Sequence, residues 1–335
     1  FTADYYIKNT KDILLGYNVS RETGIWTTPS MNLAKVRNKG FEFSITHRNT
    51  IGDFSYAIMA NFATNKNKII DMGDSDNMIQ DGGDNIRYIL KEGEAVGSYF
   101  GLKTDGLYTQ EEIDNGEFYV YGRKPNAGDI KYVTQRKDVK QYKDLTEEQK
   151  VNNDWGEASI TDDDRTIIGK DVPTLTYGVN LNLQYKNFEF TVFGQGTGGT
   201  DVAFESEQVF AFMENSNPRK FHLKRWQEAN PNSFAPVPRL YGATSNDEYN
   251  KHFSDYELFD ADYFRIKSMS LGYMIPHNII SKWGLSSLKV FLTGENLFTI
   301  RADKEMKDFD PESPSGRGLS AYGTKSVAFG INLSF

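Results

Sequence analysis

Cysteine is absent from the 335 residues, which excludes both a disulfide framework and a thiolate metal site. No uninterrupted apolar run approaches eighteen residues, so no transmembrane helix is encoded. The four histidines, at positions 47, 222, 252 and 277, lie too far apart in sequence to match a metal-ligand spacing. Neither a Ser/His/Asp arrangement nor a metal-hydrolase motif is evident, and no enzymatic activity is expected. Positive charge is also short. A net charge of −8 and a pI near 5.2 leave no basic face, and nucleic acid is not expected as a partner. The chain opens on Phe1 with neither an initiator Met nor a signal peptide, so a mature or excerpted chain is expected.

What the chain has in quantity is aromatics, 23 Phe and 19 Tyr, and alternation. The last eleven residues, Lys325 to Phe335, read K-S-V-A-F-G-I-N-L-S-F. Val327, Phe329, Ile331, Leu333 and Phe335 alternate with small or neutral polar residues. A helix would scatter these five around its circumference, whereas a strand puts them on one face. The final strand of a soluble sandwich would satisfy this segment; so would a lipid-facing strand of an outer-membrane barrel. A hydrophobic content of 38% and a mean hydropathy of −0.58 do not oppose the barrel, whose wall needs apolar residues only at alternate positions.

The same period recurs along the chain. Phe1–Lys8 reads as a strand. Phe41, Phe43 and Ile45 precede a turn at 49–53, and Phe54, Tyr56, Ile58, Ala60 and Phe62 follow it, a hairpin signature. Residues 86–90 and 96–108 read as a further pair. Tyr177, Val179, Leu181, Leu183 and Tyr185 lead through Lys186-Asn187 to Phe188, Phe190 and Val192, the clearest interior hairpin. Strands resume at 263–274, 288–299 and 325–335. Short helices are expected near 145–151, 205–214 and 219–229. The sum is an all-β, antiparallel transmembrane barrel segment of about ten strands. Counted from the last strand, the long connections (9–34, 65–85, 109–173, 198–256 and 300–323) fall on one rim. The short ones (49–52, 92–95, 186–187 and 275–286) fall on the other. Outer-membrane barrels sort their loops by length in this way, and a soluble sandwich has no reason to. About ten strands would make either a small closed barrel or part of a larger one.

Several stretches resemble the SusC-like (RagA-like) family of TonB-dependent outer-membrane transporters. They include K-V-R-N-K-G-F-E-F at 35–43, E-G-E-A-V-G-S-Y-F-G-L-K-T-D-G at 92–106, G-D-I-K-Y at 128–132 and D-D-R-T-I-I-G at 163–169. The C-terminal third adds D-Y-F-R-I-K at 262–267, G-L-S-S-L at 284–288, G-E-N-L-F at 294–298, D-P-E at 310–312 and the terminal Phe335. The matches follow the family's order and correspond to its C-terminal part. The resemblance implies a 22-stranded barrel of which residues 1–335 are a C-terminal portion, the plug domain and early strands having no counterpart here. It implies TonB as the energy-coupling partner through that plug, and a SusD-like surface lipoprotein as a lid. It further implies import of oligosaccharides or peptides, loops outside the cell and a periplasmic C-terminus. Outer-membrane lipids and the barrel assembly machinery are the remaining expected partners, with Phe329, Ile331, Leu333 and Phe335 as the assembly signal. A structural or adhesive barrel without transport is the alternative, and a soluble carbohydrate-binding or glycosidase β domain the third reading.

Three constellations carry site expectations. G-Q-G-T-G-G at 194–199 matches the dinucleotide fingerprint, but that motif needs a βαβ unit, and its preceding strand here pairs with an antiparallel neighbour. The 153–164 stretch stands where the family often carries a calcium-loop-like sequence. Glu157, Asp162 and Asp164 are the candidate ligands for a Ca2+ ion, with a solvated acidic loop as the default and no cofactor required. Trp26, Trp155, Trp226 and Tyr241 fall in expected outer loops, where they would stack on sugar rings or contact the lid; packing of the loops on one another is the competing role. His222 and Trp226, four apart on an expected helix, are read as packing residues.

Overall fold

A computed structural model describes residues 1–16, 30–73, 77–83, 85–213, 216–240, 249–313, 315–317 and 323–335. In chain order the strands are β1 (Thr2–Gly16), β2 (Ser30–Ile51), β3 (Phe54–Thr64), β4 (Lys66–Asp71), β5 (Met78–Asp81), β6 (Arg87–Leu90), β7 (Ser98–Gly101), β8 (Lys103–Leu107) and β9 (Ile130–Val133). They continue as β10 (Thr166–Lys170), β11 (Leu175–Tyr185), β12 (Phe188–Gly198), β13 (Asp201–Ala203), β14 (Leu258–Asp260), β15 (Tyr263–Met274), β16 (Ser287–Arg301) and β17 (Ser326–Ser334). Eight of them form one antiparallel wall in the order β1-β2-β3-β11-β12-β15-β16-β17, and β4 joins it by pairing with β2. The wall strands run from 9 to 22 residues, long enough to cross a bilayer, which takes about 9–11 residues at a 45° tilt.

Register shows why these residues form a wall. One row across it reads Tyr56, Leu183, Phe190, Leu271, Leu292 and Phe329. The row beside it reads Ile58, Leu181, Val192, Met269, Gly294 and Val327. Neither row holds a Lys, Arg, Asp or Glu. The interleaved row on the opposite face reads Arg48, Ala57, Asn182, Thr191, Ser270, Thr293 and Ala328. Because side chains alternate with a period of two, the strands place one continuous apolar sheet face against one polar face. The apolar face is bare: Phe329 is 68% exposed and Val327 65%, values that burial against a protein core would not leave.

Aromatics gather at both ends of this face. Phe54, Tyr185, Phe188 and Tyr273 share the row beside the short turns, where the Phe188 and Tyr273 rings lie 4.6 Å apart. Phe43, Phe62, Tyr177 and Phe264 share the row towards the long connections. The two rows stand about 26 Å apart along β3 at 3.3 Å per residue, and such paired girdles flank the apolar band of outer-membrane barrels.

The expected loop sorting holds with fewer strands. The short connections are Gly52-Asp53, Lys186-Asn187 and 275–286, and the remaining connections leave the opposite rim. The count of about ten needs correction. Residues 86–90 and 96–108 do not enter the wall; β6 and β7 belong to a separate four-stranded sheet, β10-β7-β6-β5, built from the long connection. Removing a whole hairpin leaves the parity of the wall strands unchanged, but its turn at 92–95, expected on the short-turn rim, lies instead in that separate sheet within the long connection. The expected helices shrink as well. Glu147–Val151 is helical behind a Thr146 capping box. In the other two segments the described residues form only the short 3-10 turns Ser206–Gln208 and Lys220–Lys224, because the apolar residues there serve a packed loop body rather than one helical face.

Arginine in place of Leu181, mid-way along the apolar face, should cost about 2–4 kcal/mol in a lipid-embedded wall and reduce heat-stable, folded migration in detergent electrophoresis. Asn180→Arg, on the polar face, should migrate as the parent does. Equal behaviour of the two variants would show that the faces are assigned the wrong way round.

Candidate functional site

The long connections are a folded body rather than loose loops. Its core includes Leu107, Tyr108, Ile130, Tyr132, Phe204, Val209, Tyr249 and Phe309, all nearly inaccessible to solvent. The last connection contributes Phe309, and two others, 65–174 and 199–262, build the rest jointly. Backbone bonds join them at Leu102 N–H to Phe253 O (2.9 Å), Leu107 N–H to Ser233 O (2.7 Å) and Arg239 N–H to Gly128 O (2.9 Å). The buried Glu205 carboxylate adds a tie by accepting the N–H groups of Asn85 at 2.7 Å and Ile86 at 3.2 Å.

The G-D-I-K-Y stretch shows how sequence writes this body. Gly128 takes φ +84 beneath the Trp226 ring, which a Cβ would meet at 2.4 Å, so only glycine fits. Asp129, fully buried, accepts from the Asn126 N–H at 2.7 Å and from Asn250 Nδ2 at 3.2 Å, and pairs with Arg239. Ile130 and Tyr132 enter the core, and the Tyr132 hydroxyl donates to His252 O at 3.2 Å. A buried charge of this kind is tolerable only when paired and hydrogen-bonded.

A second ionic knot fixes the last connection to the polar face of the wall. Arg265 on β15 pairs with Asp310 and, at 3.0 Å, with Glu312, while its Nε donates to Thr299 at 3.0 Å. Lys267 reaches Glu312 at 2.7 Å, and the Tyr263 hydroxyl donates to the same carboxylate at 2.7 Å. Lys267 sits where the register of β15 shifts against both neighbours, a bulge that re-aims a side chain. The sequence reading assigned these residues no role. Their signal was the pairing of D-Y-F-R-I-K with D-P-E, two charged stretches of opposite sign that the wall brings together.

The three carboxylates expected to hold Ca2+ have partners of their own. Glu157 pairs with Lys140 at 2.8 Å. Asp162 accepts from the Tyr121 hydroxyl at 2.6 Å and pairs with Arg165 at 2.9 Å. Asp164, its side chain fully buried, takes Arg136 at 2.8 Å, the Thr134 hydroxyl at 2.5 Å and the Thr161 N–H at 2.9 Å. Among the described residues no group of three or more His, Asp or Glu side chains is arranged to hold a metal ion. The glycines of 194–199 serve the wall instead. The short strand β13 follows them in place of the fingerprint's helix, and Gly194 and Gly196 leave room for the Phe264 and Tyr177 rings, which stack across β12 at 6.0 Å.

Of the four outer-loop aromatics, Trp26 and Tyr241 lie outside the described residues. Trp155 and Trp226 are half-buried and pack against the loop core, with the Lys124 ammonium 5.0 Å from the Trp155 ring. His222 is buried; its Nδ1 accepts from the Arg219 N–H at 2.8 Å and its Nε2 lies 3.0 Å from Val209 O. Phe329, Ile331 and Leu333 stand opposite Leu292, Val290 and Leu288 on β16; Phe335 is 88% exposed.

These features define a membrane-wall class, a β-sheet with an apolar exterior and a folded body at one rim. No family model matches the chain. A TonB-dependent receptor, P3, of Formosa agariphila is 29% identical over 350 residues, covering 99% of this chain and 32% of the relative. SusC of Bacteroides thetaiotaomicron, also a TonB-dependent receptor, is 24% identical over 337 residues, covering 99% and 29%. Among solved structures the RagAB peptide transporter superposes with a TM-score of 0.74 at 20% identity, over 99% of this chain and 33% of that one. The chain thus spans about a third of the length of these relatives. It is homologous to the SusC-like TonB-dependent receptors of the outer membrane and corresponds to a barrel portion of them. Those relatives are receptors and transporters, not enzymes.

Burial pushes the Asp164 carboxyl up, but the hydrogen bonds from Arg136, Thr134 and Thr161 outweigh it and hold it down at about 2. A carboxyl held below its ordinary value stabilises the fold above that value, and the contribution disappears as pH falls through the folded-state pKa. Amide protection over 134–165 should therefore fade between about pH 4 and pH 2. Asp164→Asn should destabilise this segment at neutral pH by about 1–3 kcal/mol, the cost of facing the Thr134, Thr161 and Arg136 donors with an amide that cannot accept from them all. Hydrogen exchange of the assembled receptor measures both, and undiminished protection in the variant would remove Asp164 as the anchor.

Proposed function

We propose that residues 1–335 form part of the wall and the outer body of a TonB-dependent importer that moves oligosaccharides or peptides across the outer membrane without altering them. The observation that carries this reading is the apolar face of the wall, charge-free across six strands and backed by a polar face suited to a hydrated passage. The described sheet has two free edges, on β1 and β17, and open edges are not tolerated in hydrocarbon. Together with relatives about three times as long, this supports a barrel closed by further strands, with a plug that receives TonB, supplied by the rest of the polypeptide. The short turns and the C-terminus would face the periplasm and the loop body the cell exterior. A SusD-like lipoprotein would seat on that body. Trp155, with its ring partly open beside Lys124, is the aromatic in the described residues best placed to meet a sugar or the lid, and Phe335 would mark the last strand for assembly.

The test is uptake by cells carrying the full receptor as their sole importer of this kind. Labelled oligosaccharide or peptide should accumulate, and a protonophore or loss of TonB should abolish accumulation. Protease added to intact cells should cut the loop body and leave the 186–187 turn untouched. A folded, surface-exposed barrel with no energy-dependent uptake would overturn import in favour of a structural or adhesive wall.

A further inference from the structure

Above the upper aromatic row, β2 and β4 continue as a ribbon and bring cations face to face. Lys39 stands opposite Lys66, and Arg37 opposite Lys68. All four are exposed and alternate with the inward Val36, Asn38, Asn67 and Ile69, so they share the face that carries Phe41 and Phe43. Like charges directly opposite one another destabilise a strand pair. Among the described residues the only side-chain hydrogen bond to any of the four is from Arg37 Nε to the neutral Asn9 Oδ1, at 2.8 Å, and no carboxylate forms a salt bridge with them. On its outer side the wall carries a cationic cluster with no ion-pair partner among the described residues, in a chain whose net charge is −8.

The height of the cluster identifies what neutralises it. Lys66 lies about twelve residues from Phe54 in the lower aromatic row, or about 40 Å along the strand at 3.3 Å per residue. At a tilt of about 40° that is about 30 Å along the membrane normal, one hydrocarbon thickness. The ammonium groups therefore stand at headgroup level just beyond the far girdle. A groove of about 940 Å3 opens there, with Tyr5, Phe41 and Leu175 on its apolar side and Lys39, Lys66 and Lys170 on its polar side; Glu94 is the one acidic residue lining it.

We propose that Lys39 and Lys66, supported by Arg37 and Lys68, bind the phosphate of a lipid in the surrounding outer leaflet, with its acyl chains against Phe41 and Leu175. The proposal rests on the membrane-wall reading above. Lys and Arg near a membrane surface each strengthen attraction to anionic headgroups about fivefold, and here four converge.

The test uses the full receptor purified in neutral detergent and offered phosphatidylglycerol or zwitterionic phosphatidylcholine, with retained lipid counted by native mass spectrometry. The parent should retain phosphatidylglycerol in preference. The double variant Lys39→Glu/Lys66→Glu should lose that preference by about tenfold or more, and Lys39→Gln/Lys66→Gln should lose part of it. Arg48→Glu, on the polar face, should change nothing. Retention unchanged in a variant that still migrates as a folded barrel overturns the lipid site and leaves the wall intact. Displacement of bound lipid by equimolar inorganic phosphate overturns the lipid as the source of the phosphate. A receptor that stays monodisperse without detergent overturns the wall reading itself.

Discussion

A peptide group inside hydrocarbon has no water to bond to, and each unpaired N–H or C=O there costs several kcal/mol. That constraint organises this chain. It requires every wall strand to have two antiparallel neighbours, which is why β3 pairs with β11 across more than a hundred intervening residues rather than with its next neighbour in sequence. Once pairing is fixed, alternation fixes the rest. One side chain in two faces lipid and must be apolar; the other faces the barrel interior and is free to be Asn, Thr, Ser or Gln. The row from Tyr56 to Phe329 and the row from Asn182 to Ala328 are consequences of a single register.

The wall therefore has no hydrophobic core in the ordinary sense. The packed interior of the chain lies in its connections, where Tyr108, Tyr132 and Tyr249 meet and two distant loops share hydrogen bonds. This division explains the hydropathy of the sequence. The wall needs half its residues polar, and the loop body, which stands in water, carries charges on its surface and a few deeply buried acids. Asp129, Asp164 and Glu205 are each held by donors from segments far apart in sequence. Of these three only Asp164 was a candidate metal ligand in the sequence, and it ties its loop to Arg136 and Thr134.

The wall was legible in the sequence because its signal is local. Val179, Leu181 and Leu183 declare a face without knowledge of any partner strand. The loop body was not, because its signal is non-local. Residues 86–90 and 96–108 alternate well enough to read as wall, and only the pairing of Arg87–Leu90 with Met78–Asp81, of Ser98–Gly101 with Thr166–Lys170 and of Lys103–Leu107 with Ile130–Val133 removes them from it. The segments near 205–214 and 219–229 have helical composition, yet Phe210 and Phe221 are drawn into a shared core, and tertiary packing overrides a weak helical preference. Gly128 under Trp226 and Arg265 on Asp310 belong to the same class, since neither partner is near the other in the chain.

The bulge at Lys267 shows how the two regimes meet. A regular strand would continue the strict alternation, and the residue after Ile266 would hold its place in the ladder. Arg265 and Lys267, two residues apart, share a face and converge on Asp310 and Glu312, while the extra residue resets the alternation so that Met269 and Leu271 take the apolar side beyond it. Within three residues the strand serves both sides, Phe264 and Ile266 facing the apolar exterior and Arg265 between them gripping a loop from the polar face. The four charges stand on the polar face and none enters the lipid-facing side; placed higher, the cluster would hold nothing to the wall. Its position beside the upper aromatic row, marked by Phe264 one residue away, is where the two demands are compatible.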